Sequence, residues 1–231
     1  MKRSLTRYAL LCCLALFSSS VFAQEIETGD RLFGEGDYSG AAAVYQGVYD
    51  AEGDGVALYK LANAHVYAAR TAEGDQAERL YDAAVTAARE AVELVPEDLE
   101  AHMALVRAWG RLAQYRGVLE SLNLAALMKE ELDLILERDP NHDGALHALA
   151  LWHLNVPWLF GGRSDQTRGL FDQAIAVRLT VLHHLEYGEA LVTLGDPAAA
   201  RAQFGAALEL PAETAADRFE QARARELLGS L

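Results

Sequence analysis

Val95-Pro96-Glu97-Asp98-Leu99-Glu100-Ala101-His102-Met103-Ala104-Leu105 is answered 44 residues later by Asp139-Pro140-Asn141-His142-Asp143-Gly144-Ala145-Leu146-His147-Ala148-Leu149. The prolines, the acidic turn residues and the following Ala and Leu positions fall in register. Working outward, a small residue at a tight helix crossing recurs at Gly29, Ala62, Val106, Ala150 and Gly188, at separations of 33, 44, 44 and 38. Self-similarity at such periods means stacked supersecondary units, each unable to bury its apolar face alone. It directs function away from a single reactive pocket and towards an extended binding surface.

The units read as five helical hairpins. The first pairs Glu25–Phe33 with Tyr38–Tyr49, and the second Val56–Arg70 with Gln76–Leu94, which Pro96 stops. The third pairs Leu99–Ala113 with Gly117–Arg138, which Pro140 stops, and the fourth Gly144–Asn155 with Gln166–Leu179. The fifth pairs Val181–Leu194 with Pro197–Leu210. A last helix spans Ala215–Leu228, with Thr214 and Asp217 as its cap and Gly229 as its end. No segment alternates as a strand does, and Ala fills the crossings at Ala41, Ala91, Ala174, Ala200 and Ala207. The fold class is therefore all-α, a solenoid of antiparallel hairpins with a C-terminal capping helix. The 44-residue units lengthen their second helices by two to three turns, enough to cover a groove or to meet another subunit in a homo-oligomer.

The N-terminus reads as a targeting segment. Lys2, Arg3 and Arg7 precede an apolar run from Tyr8 to Phe17, and Val21-Phe22-Ala23 ends it in the manner of a signal-peptidase site. The run is too short for a bilayer span, which takes ~20 residues. The expected division is a secretory signal at 1–23 and one helical repeat domain at 24–231, exported across the inner membrane to the periplasm without stable membrane insertion. A lipoprotein signal is the rival, but neither Cys12 nor Cys13 follows the small residue that lipidation uses. Both cysteines fall in the removed segment, so the mature chain carries no thiol or disulfide chemistry. Cleavage also takes three basic residues and moves the formal charge from −14 to −17. That sign argues against nucleic acid and anionic lipid as partners, since both select basic patches.

Gly29, Gly36-Asp37-Tyr38, Ala41, Tyr45 and Val48 resemble the tetratricopeptide signature. Leu149-Ala150-Leu151-Trp152-His153, Trp158, Phe160-Gly161 and Phe171-Asp172-Gln173-Ala174-Ile175 extend the likeness, as do Tyr187-Gly188-Glu189, Leu194-Gly195-Asp196, Ala200–Leu210, Pro211, Thr214, Asp217 and Leu227-Leu228. Together they resemble bacterial relatives of the regulator of microtubule dynamics proteins, from about Gly55 to the C-terminus. A looser likeness runs to periplasmic tetratricopeptide proteins associated with TRAP-type transporters. The long insertion that many relatives carry after the equivalent of Val156 is absent here. The resemblance implies a tetratricopeptide-like solenoid and no particular activity.

In that frame the first helix of each hairpin lines the concave face. Tyr59, Asn63 and Tyr67 form one stripe, Met103, Arg107 and Arg111 the next, and His147, Leu151 and Asn155 a third. Arg107 and Arg111 are the sharpest pair, since like charges four apart on a helix repel by a few tenths of a kcal/mol. A groove that fixes a carboxylate wants two guanidinium groups; the bland alternative pairs each with a nearby glutamate. The lysine-rich carboxylate-clamp pattern is matched only at Asn63 and one arginine, so that specificity is not implied. Val156-Pro157-Trp158-Leu159-Phe160-Gly161-Gly162 reads as a loop folded back to plug the stack, with Trp158 and Phe160 in the core; a mobile lip is the alternative.

The seven histidines show no spacing that a zinc site uses. His147 and His153 lie on different helix faces, His183 and His184 diverge, and His65 and His153 occupy packing positions that Trp109 fills in the third unit. No nucleophile elbow, phosphate loop or dinucleotide fingerprint occurs. The sequence therefore points to a non-enzymatic scaffold, without metal or cofactor, that binds a peptide or protein partner on its concave face. The alternative is an accessory solute-binding component of an envelope transport system. An open polar groove favours the first and a closed, apolar-walled pocket the second. The export expectation has a direct check: the mature protein should begin at Gln24, and N-terminal sequencing that found Met1 or a lipidated cysteine would refute it.

Overall fold

The computed structural model describes residues 23–231, so the expected signal segment lies outside the described residues except for Ala23. Eleven α-helices follow one another. They are α1 (23–35), α2 (Tyr38–Glu52), α3 (Gly55–Ala69), α4 (Asp75–Leu94), α5 (Leu99–Arg116), α6 (Val118–Arg138), α7 (Asp143–Asn155), α8 (Thr167–Val177), α9 (Val181–Thr193), α10 (Pro197–Glu209) and α11 (Ala215–Ser230). Two short 3-10 turns, Trp158–Phe160 and Ser164–Gln166, join α7 to α8. Each helix packs on its neighbours in the chain, and α3 also reaches α5. The result is the expected all-α tetratricopeptide-like solenoid.

The local reasons repeat. Helix α4 stops at Leu94, two residues before Pro96, and α6 at Arg138, two before Pro140. A proline ring removes a donor and clashes with the preceding turn. An aspartate then restarts the chain: Asp37, Asp54, Asp98 and Asp196 cap α2, α3, α5 and α10 by accepting backbone N–H groups at 2.7–3.1 Å. Loss of such a cap costs about 1 kcal/mol. At α11, Thr214 and Asp217 form a full capping box. Gly229, expected to end that helix, sits inside it, because it does not take the positive φ that would turn the chain.

Close crossings hold the hairpins together. Ala62, Val106 and Ala150 are buried, as are Ala41, Ala91, Ala174, Ala200 and Ala207 on the paired helices. In the first and fifth hairpins the crossing residue is a glycine facing an aromatic ring 16 positions on. A Cβ at Gly29 would stand 2.5 Å from the Tyr45 ring, and one at Gly188 would overlap Phe204. Tyr45 and Phe204 are fully buried in return.

The loop after α7 overturns the expected plug. Trp158, Leu159 and Phe160 are 84%, 69% and 53% exposed, so they are not core. The slot beneath them is already taken by Trp152. Its Nε1 donates to the Ala125 carbonyl at 2.7 Å, and a Cβ at Gly161 would lie 3.3 Å from its ring. With Trp152 inside, the next aromatics stay outside.

Helix α11 brings the end of the chain back to its beginning. A Cβ on Gly36, in the α1–α2 turn, would stand 2.7 Å from that of Ala215. Arg70, at the end of α3, reaches Glu220 Oε1 at 3.4 Å, 150 residues away in the chain. Its guanidinium also lies 4.6 Å from the Phe219 ring centre and 5.1 Å from that of Tyr67. The solenoid is thus clasped across its concave side. Burial pushes the Glu220 carboxyl up to about 7 although Arg70 pulls the other way.

Two outcomes follow from this packing. Ala150→Leu should overpack the crossing and cost ~1–3 kcal/mol, whereas Gly205→Ala, in open space on α10, should gain ~0.5–1 kcal/mol; equal melting temperatures would refute the register. For Glu220, a folded pKa above its ordinary 4.5 means that the folded state holds a proton the unfolded state has lost. Its contribution is present in acid and is lost as pH rises from 4.5 through about 7. Urea midpoints should therefore fall with pH less steeply in Glu220→Gln than in the parent, by on the order of 1–3 kcal/mol.

Candidate functional site

A half-open concave cavity of about 580 Å³ lies beneath the clasp, between α3, α5, α6, α7, α9 and α11. Arg107 and Arg111 enter from α5, His147, Leu151 and Asn155 from α7, and Tyr67 from α3. With Met103, also from α5, seven of the nine residues expected on the concave face therefore meet in one space. The other two stand off the wall. Tyr59 is half-buried, its hydroxyl pushed up to about 12 by burial and then by the carboxylates of Asp98 and Glu100. Asn63 lies behind Arg107 and accepts a hydrogen bond from its Nη1. The lengthened α6 covers the groove, as its length allowed, with Ser121, Leu122, Ala125 and Met128 in the wall.

The floor is polar and buried. Glu186 on α9 accepts from Arg111 Nη2 at 2.8 Å through one oxygen and from His147 Nε2 at 2.5 Å through the other. Burial alone would raise the Glu186 carboxyl, but Arg111 and His147 outweigh it and hold the group well below the usual carboxylate range. The Glu186 charge in turn pushes the Arg111 guanidinium up. His183 packs at a tilt against His147 with ring centres 4.8 Å apart, and burial, then the neighbouring imidazole, brings it down to about 4. His147 Nδ1 is buried with no hydrogen-bond partner among the described residues.

The two arginines thus differ. Arg111 is tied into a buried ion pair. Arg107 has no carboxylate within ion-pair distance among the described residues and is held only by the neutral Asn63 amide. A guanidinium carries five N–H donors, so Arg107 keeps most of its capacity for a planar anion such as a carboxylate. Met103, Val106, Leu122, Met128 and Trp152 supply apolar lining to the same cavity.

Glu186, His183, Arg70 and Glu220 went unread in the sequence. The register that lines up Asn63, Arg107 and Leu151 one residue after their crossing positions would choose Glu189 on α9. The observed wall uses Leu182, His183 and Glu186 instead, and Leu182 and Glu186 hold the register positions that Gly144 and Ala148 take on the cavity side of α7. The available signal was chemical: Glu186 stands inside the apolar run of α9, where a carboxylate needs a partner.

The sequence pattern of the family described as Regulator of microtubule dynamics protein 1-3 matches residues 26–159. That span begins in α1 and ends in the loop after α7, so the tail residues offered above for the likeness lie beyond it. No curated protein matches the sequence. Among solved structures, TTC0263, a thermophilic TPR protein in Thermus thermophilus, is similar in fold. It superposes with a TM-score of 0.71 at 21% identity, covering 89% of this chain and 99% of that one. Two structures of MamA give TM-scores of 0.48 and 0.47 at 18% and 19% identity, covering 89% and 84% of this chain and 96% of each MamA chain. With a match that takes in more than half of its residues, the chain belongs to the family of regulator of microtubule dynamics proteins 1-3.

Proposed function

We propose that the protein is a non-enzymatic, exported scaffold that receives a carboxylate-bearing group of a peptide or protein partner in its clasped concave cavity. The observation that carries this reading is Arg107: a cation on the cavity wall of a strongly acidic protein, satisfied only by a neutral amide. Tyr67, Leu151 and Asn155 beside it offer mixed contacts of the kind a side-chain-rich segment uses. Tetratricopeptide solenoids are interaction scaffolds in general, and the fold supports that class. Export rests on the leader described above.

A second reading has its own support. Helix α11 narrows the groove to a half-open cavity of about 580 Å³, within the ~300–1,000 Å³ of small-molecule sites. An accessory solute-binding component of an envelope transport system fits that enclosure.

The two arginines make the test. Arg107→Gln should leave the melting temperature nearly unchanged and weaken binding by more than tenfold, ~1.4 kcal/mol. Arg111→Gln should instead destabilise the free protein by ~3–5 kcal/mol, because it strands the buried Glu186 charge. The readouts are thermal melts beside capture of partners from an envelope extract. Capture that survives Arg107→Gln refutes the arginine site. A bound species that resists protease and is released as a small molecule on denaturation selects the second reading.

A further inference from the structure

The wall of the concave cavity has most of its polar groups already engaged, and that limits what can occupy it. We propose that its ligand is a small monocarboxylic acid with an uncharged, apolar body, the carboxylate on Arg107 and the body against the surrounding methionine and aliphatic side chains. The proposal deepens the small-solute reading of this site and rests on Arg107 as its anion contact.

The charges of the wall admit one anion. Four arginines line the cavity beside three carboxylates, Glu186, Asp217 and Glu220. Arg111 pairs with Glu186, Arg70 with Glu220 and Arg178 with Asp143. Asp217 is held in the capping box of α11. Glu100 feels the Arg107 charge, yet its Oε1 lies 3.6 Å from His142 Nε2 and it makes no ion pair with Arg107. Arg107 is thus the one lining arginine without a carboxylate partner among the described residues. Burial pushes the Glu220 carboxyl up to about 7, so below neutrality it presents little charge to an incoming carboxylate.

Hydrogen bonding selects an apolar body over a peptide. Ser121 donates to the Ala113 and Gly117 carbonyls at 2.9 and 2.5 Å, and Trp152 Nε1 donates to that of Ala125. Thr214 is bound to Asp217, and Thr180 accepts the His183 N–H. Gln114 gives its Oε1 to Arg111 and Asn155 its Nδ2 to the Leu151 carbonyl, and both of these side chains belong to exposed residues. Each peptide unit would bring a further donor and acceptor into this space, and burying them unpaired is costly. An apolar body makes no such demand. Met103, Val106, Leu122, Met128, Leu151 and Leu182 supply its contacts, and the unbranched thioethers of the two methionines adapt to varied shapes.

The test titrates the protein with octanoate, followed by calorimetry and by tryptophan emission, since Trp152 is in the wall. Octanoate should bind saturably, and Arg107→Gln should weaken it more than tenfold at a nearly unchanged melting temperature. Octanol has the same body without the charge; it should bind more weakly than octanoate, and equally to parent and variant. Leu151→Ser, at a part-exposed position of the wall, should weaken octanoate and octanol alike. Octanoate that does not bind, or that binds Arg107→Gln as tightly as the parent, overturns the proposal. The tripeptide glycylglycylleucine, with its free carboxylate, separates this proposal from the reading beneath it. Tripeptide that binds more tightly than octanoate, and is lost in Arg107→Gln, refutes the apolar acid and keeps Arg107 as a carboxylate site. If Arg107→Gln weakens neither ligand, both fall.

Discussion

Two helices can lie close enough to share a continuous core only where their facing residues are small, and that constraint governs this molecule from end to end. Gly29 against Tyr45 and Gly188 against Phe204 are two instances of one contact, at opposite ends of the solenoid. Between them Ala62, Val106 and Ala150 serve the same purpose. Each crossing hides an aromatic or aliphatic knob that water would otherwise surround, and each fixes how the next hairpin stacks. The curvature that brings α11 back to α3 is the accumulated consequence of these crossings. The cavity exists because the curvature closes.

Closure changes what the concave face is. An open solenoid offers a strip along which an extended chain can lie. Here Arg70, Glu220 and Phe219 join the two ends, and α6 adds a wall from the side. Within that enclosure the charges are sorted. Glu186 consumes Arg111 and His147 in a buried network whose members would be costly to separate. Arg107, one turn away, is left to the neutral Asn63. Two arginines that look alike in sequence therefore sit differently: one keeps the floor together, and the other makes no ion pair among the described residues.

The exposed turn after α7 shows the same economy of space seen from outside. Trp152 already occupies the position that a folded-back Trp158 would need. The loop thus carries its aromatics outward on a hydrogen-bonded turn, next to the cavity but not within it. Turn and cavity share a root at Val156 and Pro157.

Sequence alone determined the helices, their pairing and their crossing register. Those features depend on local rules: Pro96 and Pro140 stop helices, Asp98 and His142 cap the next, and small residues recur at the repeat spacing. It also selected most of the cavity wall, because Tyr67, Arg107, Arg111, His147, Leu151 and Asn155 follow one register on the first helices of their hairpins. Tertiary structure alone decided the rest. On α9 the wall is made by His183 and Glu186 rather than by the position after the crossing, so the partner of Arg111 was missed, although Glu186 holds the register position of Ala148 on α7. The clasp joins residues 150 positions apart, a contact set by summed curvature rather than by any repeat. And the side of the wall on which Trp158 lies was settled by packing: Trp152 on α7 is buried, and Trp158, in the turn beyond the helix, is exposed.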